Sequence, residues 1–315
     1  MRFDLNDGHS IPAIGLGTWK AQNDGAYRAV REALAAGYTH IDGAWIYGNE
    51  AEVGRAIREA IAAGDISREA LFVTTKLWNS FHAADDVEKA MAESLRSLGL
   101  DYVDLYLMHW PVAFQPGVVL PNAPEDFWAL SEMPLEVTYE AMMKLRERGL
   151  SKSVGVSNFT VRKLEKLAAA VGEHPAVNQV ELHPYHPQPE LKAYCESKRI
   201  HLTAYSPLGS RDRPPRLKQE NEPSLLENPA VLEAAEGESL SAAQLLIAWA
   251  IDRGTSVIPK SENPERIRQN LAGAEHSLSE TARDRVNAIA TRFRFVNPGG
   301  LFLDGVTHEG TDFWS

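Results

Sequence analysis

The sequence predicts an α/β protein, a (β/α)8 barrel of the TIM type with an N-terminal β-hairpin and long loops at its C-terminal face. Three observations carry that expectation. Short apolar strands alternate with helical patterns eight times in about 250 residues. The strands are near-continuous apolar runs, as in parallel sheets covered on both faces. The repeat of roughly 30 residues per unit matches the barrel. An open, doubly wound sheet is the alternative; it commonly carries a G-x-G-x-x-G turn after its first strand, and GLGTW lacks the third glycine. The chain is expected to form a single barrel domain over residues 1–315.

Residues 2–14, RFDLNDGHSIPAI, place Asn6-Asp7-Gly8 between two short segments, which is a hairpin signal. GLGTW is then the first barrel strand. GAYRAVREALAAG follows with Ala26, Val30, Ala33 and Leu34 on one face and Gly37 as a stop. THID, LFVTTKL, YVDLYLMHW, SKSVGVS, VNQVEL, IHLTAYSPL and TSVIPKS are the next seven strands. The segments between them have helical spacing: Val87, Met91, Ser94, Leu95 and Leu98 align in one, Val161, Leu164, Leu167 and Val171 in another. PERIRQNLAG is the last helix of the series. Three connections are long: residues 111–134, residues 206–227 and the tail from about 291. The first two follow the fourth and seventh strands, so they open on the face where barrel enzymes keep their chemistry. SRDRPPRLKQENEPS, polar and proline-rich, is expected to be mobile when the site is empty.

A net charge of −11 argues against nucleic acid or an anionic membrane as the main partner, because both need a basic face. No run approaches the ~18 apolar residues of a membrane span. The polar start MRFDLNDGHS carries no secretion signal, so Asn158-Phe159-Thr160 is read as a chance sequon. The one cysteine, Cys195, excludes an internal disulfide, fits a reducing cytoplasm and reads as a packing residue.

Polar residues interrupt three successive strand ends. Asp42, Lys76 and His109 lie 34 and 33 residues apart, one barrel unit each, so they converge on one mouth. Tyr47 follows close behind Asp42. A single such aspartate would be a cap and a single lysine a solvated charge; three in register beside a tyrosine fit neither account. A phenol with pKa near 10 donates poorly at neutral pH. An adjacent ammonium lowers that pKa, and a carboxylate partner makes the buried ammonium tolerable. Asp42, Lys76 and Tyr47 thus make a tuned general acid, with His109 to orient an oxygen. Such a site protonates an oxygen that gains negative charge, as in carbonyl reduction, which needs a hydride donor.

HIDGAWIYGNE, TTKLWNS, LYLMHWP, GVSNF, YSPLG and IPKSENPERIRQN, in this order and spacing, resemble the aldo-keto reductase family over essentially the whole chain. The resemblance implies an aldehyde or aldose reductase-like barrel, monomeric, using NADPH/NADP+ without metal. It implies Tyr47, Asp42, Lys76 and His109 as catalytic residues. It assigns Ser157, Asn158 and Gln179 to the nicotinamide carboxamide, Tyr205 to stacking on the ring, and Ser206 and Leu208 to the pyrophosphate. Lys260, Ser261 and Arg266 match the 2′-phosphate site, Gln269 and Asn270 the adenine contacts. Asp212 resembles a belt residue that pairs with Lys260 across the cofactor. Thr18 and Trp19 join the cofactor set. On physical grounds as well, Lys260, Ser261 and Arg266 gather a cation, a hydroxyl and a guanidinium at a helix start, which favours NADPH. Glu262 lies within that cluster.

Trp19, Trp78 and Trp110 fall at or just after strand ends and, with Phe114, are expected to line a pocket for a small-molecule carbonyl substrate. Leu301, Phe302 and Leu303 in the tail are expected to fold over it, and Trp128 is a further candidate for its wall. His183 and His186, in a proline-broken loop, do not make a convincing metal pair. The expected function is NADPH-dependent reduction of aldehydes, and of some ketones or open-chain sugars, with Tyr47 as proton donor. Alternatives are a regulatory or structural protein that binds a nicotinamide nucleotide on the same barrel, and a phosphate-binding barrel isomerase.

Overall fold

The computed structural model describes residues 1–297, Phe302 and Trp314. An antiparallel hairpin comes first, β1 (Arg2–Asp4) and β2 (Ser10–Pro12), with Asp4 opposite Ser10. Gly8 completes its turn at φ +88°, a left-handed value that suits glycine. Phe3, Leu5 and Ile11 of this hairpin pack against Phe72, Leu105, Leu107 and Val177 and close the lower end of the barrel.

Eight parallel strands follow: β3 (Leu16–Gly17), β4 (His40–Asp42), β5 (Phe72–Leu77), β6 (Val103–Met108), β7 (Ser151–Ser157), β8 (Val177–Glu181), β9 (His201–Tyr205) and β10 (Ser256–Val257). They pair in sequence order. The ring closes through the Gly15 N–H on Val257 O at 2.8 Å and the Val257 N–H on Ala13 O at 2.9 Å. This is the expected (β/α)8 architecture, and the open-sheet alternative falls on that closure.

Helices α1 (Gly25–Ala36), α2 (Glu50–Ala63), α3 (Ala84–Leu98), α4 (Leu135–Glu147), α5 (Val161–Val171) and α6 (Pro189–Ser197) alternate with the strands. Each turns its apolar stripe inward. In α3 that stripe is Val87, Ala90, Met91, Ser94 and Leu98. In α5, Thr160 Oγ1 caps the start by accepting the Lys163 N–H at 3.4 Å, and Leu164 and Leu167 are buried.

Two helices were not expected. Besides α8 (Ala242–Asp252) and α9 (Pro264–Gly273), the chain forms α7 (Pro229–Gly237) and α10 (Glu280–Asn287), which pack on one another. Both carry local start signals. Asn228 Oδ1 accepts the Ala230 N–H at 2.9 Å, and Ser279 Oγ accepts the Ala282 N–H at 3.2 Å. They lie outside the strand–helix period, so a reading guided by the repeat passes over them. Among the described residues no helix is long and apolar enough to cross a membrane.

Candidate active site

Inward-facing positions alternate along a barrel strand. The last inward residues of β4 and β5, Asp42 and Lys76, therefore meet above the barrel core. Lys76 Nζ donates to Asp42 Oδ1 at 2.6 Å and to Gly43 O at 2.8 Å. Gln179 Nε2 donates to the other carboxylate oxygen, Asp42 Oδ2, at 2.8 Å. Both charged side chains are fully buried. Tyr47 rides on a one-turn 3-10 helix, Trp45–Tyr47, ended by Gly48 at φ +68°. The Lys76 ammonium lies 5.2 Å from the centre of its ring. His109, just beyond β6, stands edge-on to Tyr47 at 5.8 Å and to Trp78 at 5.3 Å. Its Nδ1 is buried without a hydrogen-bond partner among the described residues. The three residues predicted from strand-end spacing, and Tyr47 beside them, thus share one mouth.

Burial pulls the Lys76 ammonium below its ordinary value, and Asp42 opposes that pull. Burial, with the Lys76 charge second, holds His109 well below the usual imidazole range, so it is neutral at ordinary pH. Tyr47 departs from the expectation of a lowered phenol. Burial raises it well above its ordinary value, and the charge of Asp42 adds to the rise. Burial dominates, and the ammonium that would lower the group is itself bonded to Asp42 at 2.6 Å. The phenol faces a compensated ion pair rather than a bare ammonium, and it keeps its proton.

The residues expected to hold the nicotinamide end form one network beside Asp42. The Ser157 hydroxyl donates to Gln179 O at 2.7 Å, and Asn158 Nδ2 donates to His109 O at 3.0 Å and to Ser157 Oγ at 3.1 Å. The Tyr205 hydroxyl donates to Asn158 Oδ1 at 2.7 Å, which leaves that oxygen a second lone pair. Thr18 Oγ1 donates to Asp42 O at 2.9 Å. Ser206, at φ +48°, accepts the Gly209 N–H at 2.9 Å, while Leu208 packs on the core.

Asp212 meets Lys20 at 2.7 Å and Lys260 at 3.6 Å, tying the loop after β9 to those after β3 and β10. Lys260 also meets Glu262 at 2.7 Å. Ser261 Oγ accepts the Asn263 N–H at 3.1 Å, and Asn263 Oδ1 caps α9 by accepting the Arg266 N–H at 3.0 Å. Arg266 is exposed and Asn270 buried, and Gln269 donates to Glu265 at 3.1 Å. The loop after β9 is tied down as well. Arg213, 2 % exposed, donates to Leu217 O and Ser210 O and pairs with Glu222.

Over the mouth, Trp78, Trp110, Val112, Phe114 and Val296 form a buried cluster, with Trp45, Phe127, Phe302 and Trp314 packed on it. Phe302 lies 5.1 Å from Phe114 and 5.6 Å from Trp110, ring to ring. Leu301 and Leu303 lie outside the described residues. Trp19 is half-buried under the Lys20 ammonium at 4.5 Å and is not part of this cluster. Phe127, rather than its neighbour Trp128, makes the edge contact to Phe114 at 5.1 Å. The Trp78 indole N–H donates to Val119 O at 2.8 Å and draws the loop of residues 111–134 onto this cluster.

Residues 13–291 match the sequence profile of the Aldo/keto reductase family. The chain is 44 % identical over 312 residues to an aldo/keto reductase of Synechocystis sp., covering 99 % of this chain and 95 % of the relative. It is 45 % identical over 296 residues to aldo-keto reductase family 1 member A1 of Gallus gallus, covering 93 % of this chain and 90 % of the relative. With the protein of that name from Homo sapiens it is 43 % identical over 303 residues, 96 % of this chain and 92 % of the relative. The chain belongs to the aldo-keto reductase family. Members are oxidoreductases of carbonyl and alcohol groups and generally use a nicotinamide cofactor.

In this aldo-keto reductase, several residues near the site escape sequence reasoning. Lys20 had a signal, since it follows Trp19 at a strand end much as Lys76 sits at another. Trp45 lies within HIDGAWIYGNE and had the same chance of notice. Phe127, Val296 and Trp314 carry no local mark, because only the folded loop and tail bring them to the aromatic cluster.

Proposed function

We propose that this aldo-keto reductase reduces aldehydes, and some ketones or open-chain sugars, to alcohols with NADPH, acting as a monomeric, cytoplasmic, single-domain barrel. The observation that carries the reading is the fully buried Lys76–Asp42 pair beside a protonated Tyr47 and a neutral His109.

The donor set suits the cofactor. Lys260, Ser261 and Arg266 at the start of α9 suit a 2′-phosphate, where the backbone amides and the helix dipole also favour an anion. Ser157, Asn158, Gln179 and Tyr205 suit a planar carboxamide and its ring, and the belt from Asp212 to Lys20 and Lys260 would lie across the dinucleotide. Bound NADPH supplies the hydride that the carbonyl carbon accepts.

Tyr47 gives its proton as negative charge builds on the carbonyl oxygen. The phenol is too weak an acid to release that proton earlier. Lys76 stabilises the phenolate left behind, and Asp42 keeps Lys76 charged in a buried place. Neutral His109 offers a hydrogen bond that orients the oxygen without bringing a second charge. The aromatic cluster excludes water, which strengthens each of these interactions.

Tyr47→Phe tests the reading. Oxidation of NADPH with an aromatic aldehyde should fall by about a thousandfold or more, while NADPH still quenches tryptophan fluorescence. Retained turnover would remove Tyr47 as the donor.

A further inference from the structure

ELHPYHPQ attracts notice in the sequence for its histidines, and the proposed chemistry uses none of it. In the structure its glutamate is the unusual residue. Glu181 ends β8 and is 1 % exposed. Three donors converge on its carboxylate: His183 Nε2–H at 2.9 Å, the Phe295 N–H at 2.6 Å and the Val296 N–H at 2.8 Å. The two backbone donors lie 114 and 115 residues further along the chain. His183 is fully engaged, since its Nδ1 accepts the His186 N–H at 3.2 Å. Burial alone would push the Glu181 carboxyl up, but the His183 bond and the two tail amides outweigh it and hold the group below its ordinary range.

We propose that Glu181 anchors the C-terminal segment and is thereby a positioning residue for the wall of the substrate pocket, an inference that rests on the carbonyl-reductase reading for its link to substrate. The anchored residues lead directly to the pocket. Val296 belongs to the buried cluster with Trp78, Trp110 and Phe114, and Phe302 meets the same three rings, edge-on to Trp110 and Phe114 and tilted to Trp78. On the other side, the Phe293 N–H donates to Tyr185 O at 3.0 Å, and the Phe295 ring lies 5.0 Å from His183 and 5.1 Å from the Arg213 guanidinium. The anchor therefore sits between the belt loop and the pocket wall. A carboxylate is required, because three converging N–H groups need two oxygens that only accept. A glutamine of the same size would turn an NH2 group toward one of them. Arg213 is also held within its own loop, by Leu217 O and Ser210 O.

The experiment compares wild type with Glu181→Gln and with Val296→Pro, which removes one donor from the tail side. Trypsin cleavage of the Arg294–Phe295 bond, followed by mass spectrometry, should speed up about tenfold in both variants as the segment opens locally. In Glu181→Gln, the KM for 1-naphthaldehyde should rise about tenfold, with the KM for propanal and the Kd for NADPH little changed. Equal cleavage in all three proteins would overturn the anchor, and so would an equal rise in KM for both aldehydes. If the wild type reduces neither aldehyde, the carbonyl-reductase reading falls, and the cleavage rates still judge the anchor.

Discussion

The lower and upper layers of the barrel interior are built by the same strands two residues apart, and they use polar groups in opposite ways. In the lower layer β4 supplies His40, β5 Thr74, and β9 His201 and Thr203. His40 Nε2 meets Thr74 Oγ1 at 3.0 Å, and Ser256 Oγ sits 2.9 Å from His201 Nε2 and 2.8 Å from Thr203 Oγ1. Phe3 of the hairpin stacks on His201 at 5.0 Å and seals this layer. Burial depresses both histidines to about 3, so the layer carries no charge at ordinary pH. In the upper layer the same strands supply Asp42, Lys76 and Tyr205, and there charge is kept. The contrast supports the proposed site. A buried polar group that is neutral and paired is part of the packing. A buried charge pair is expensive, and here it stands at the open end beside a tyrosine and a histidine.

Breaking the upper pair should have the largest effect. Lys76→Met strands a buried carboxylate and is expected to cost about 3–5 kcal/mol in urea unfolding, together with nearly all turnover. Removing both charges, Asp42→Asn with Lys76→Met, should recover much of that stability and none of the activity. Recovered turnover in the double variant would mean that the ion pair is structural. Below it, Ser256→Ala removes the shared partner of His201 and Thr203. It should cost about 1–3 kcal/mol while turnover per folded molecule stays unchanged.

Acidification should separate the layers in a different way. His40 and His201 are depressed in the folded protein, so only the unfolded chain takes up their protons as pH falls below about 6.5. Their contribution to stability is complete above that value and is lost progressively as pH falls toward about 3. Urea midpoints measured from about pH 7 to 4 should decline, and less steeply in His201→Gln. The smallest effect belongs to the cofactor end. Glu262 holds Lys260 at 2.7 Å and would repel a 2′-phosphate. Both side chains are partly exposed, so Glu262→Gln should tighten NADPH binding only about threefold relative to NADH in a fluorescence titration. Equal changes for both cofactors would separate Lys260 from the 2′-phosphate site.

The strand-end residues were legible because a barrel deals one mouth position to each unit. Asp42, Lys76 and His109 at near-equal spacing are therefore a geometric statement written in one dimension. The cluster of Lys260, Ser261 and Arg266 was legible for a similar reason, since a helix start gathers its own first turn. The direction of the Tyr47 shift was not legible. It depends on how completely Asp42 cancels Lys76 and on how much water the aromatic cover removes, and neither is a property of local sequence. The aromatic cover of the mouth was half legible. Trp78, Trp110, Phe114 and Phe302 were expected there, but Trp19 faces Lys20 instead, and Phe127, Val296 and Trp314 arrive only through the loop and tail.

By itself the sequence determined the barrel, the order of its strands and the convergence of Asp42, Lys76 and His109, because all three follow from periods of two, 3.6 and about 30 residues. Tertiary structure alone decided which polar groups are charged, where the belt from Asp212 closes, and that Glu181 holds residues 295 and 296 at the far end of the chain. Those outcomes rest on desolvation and on contacts across more than a hundred residues, and short periods in a sequence carry no information about either.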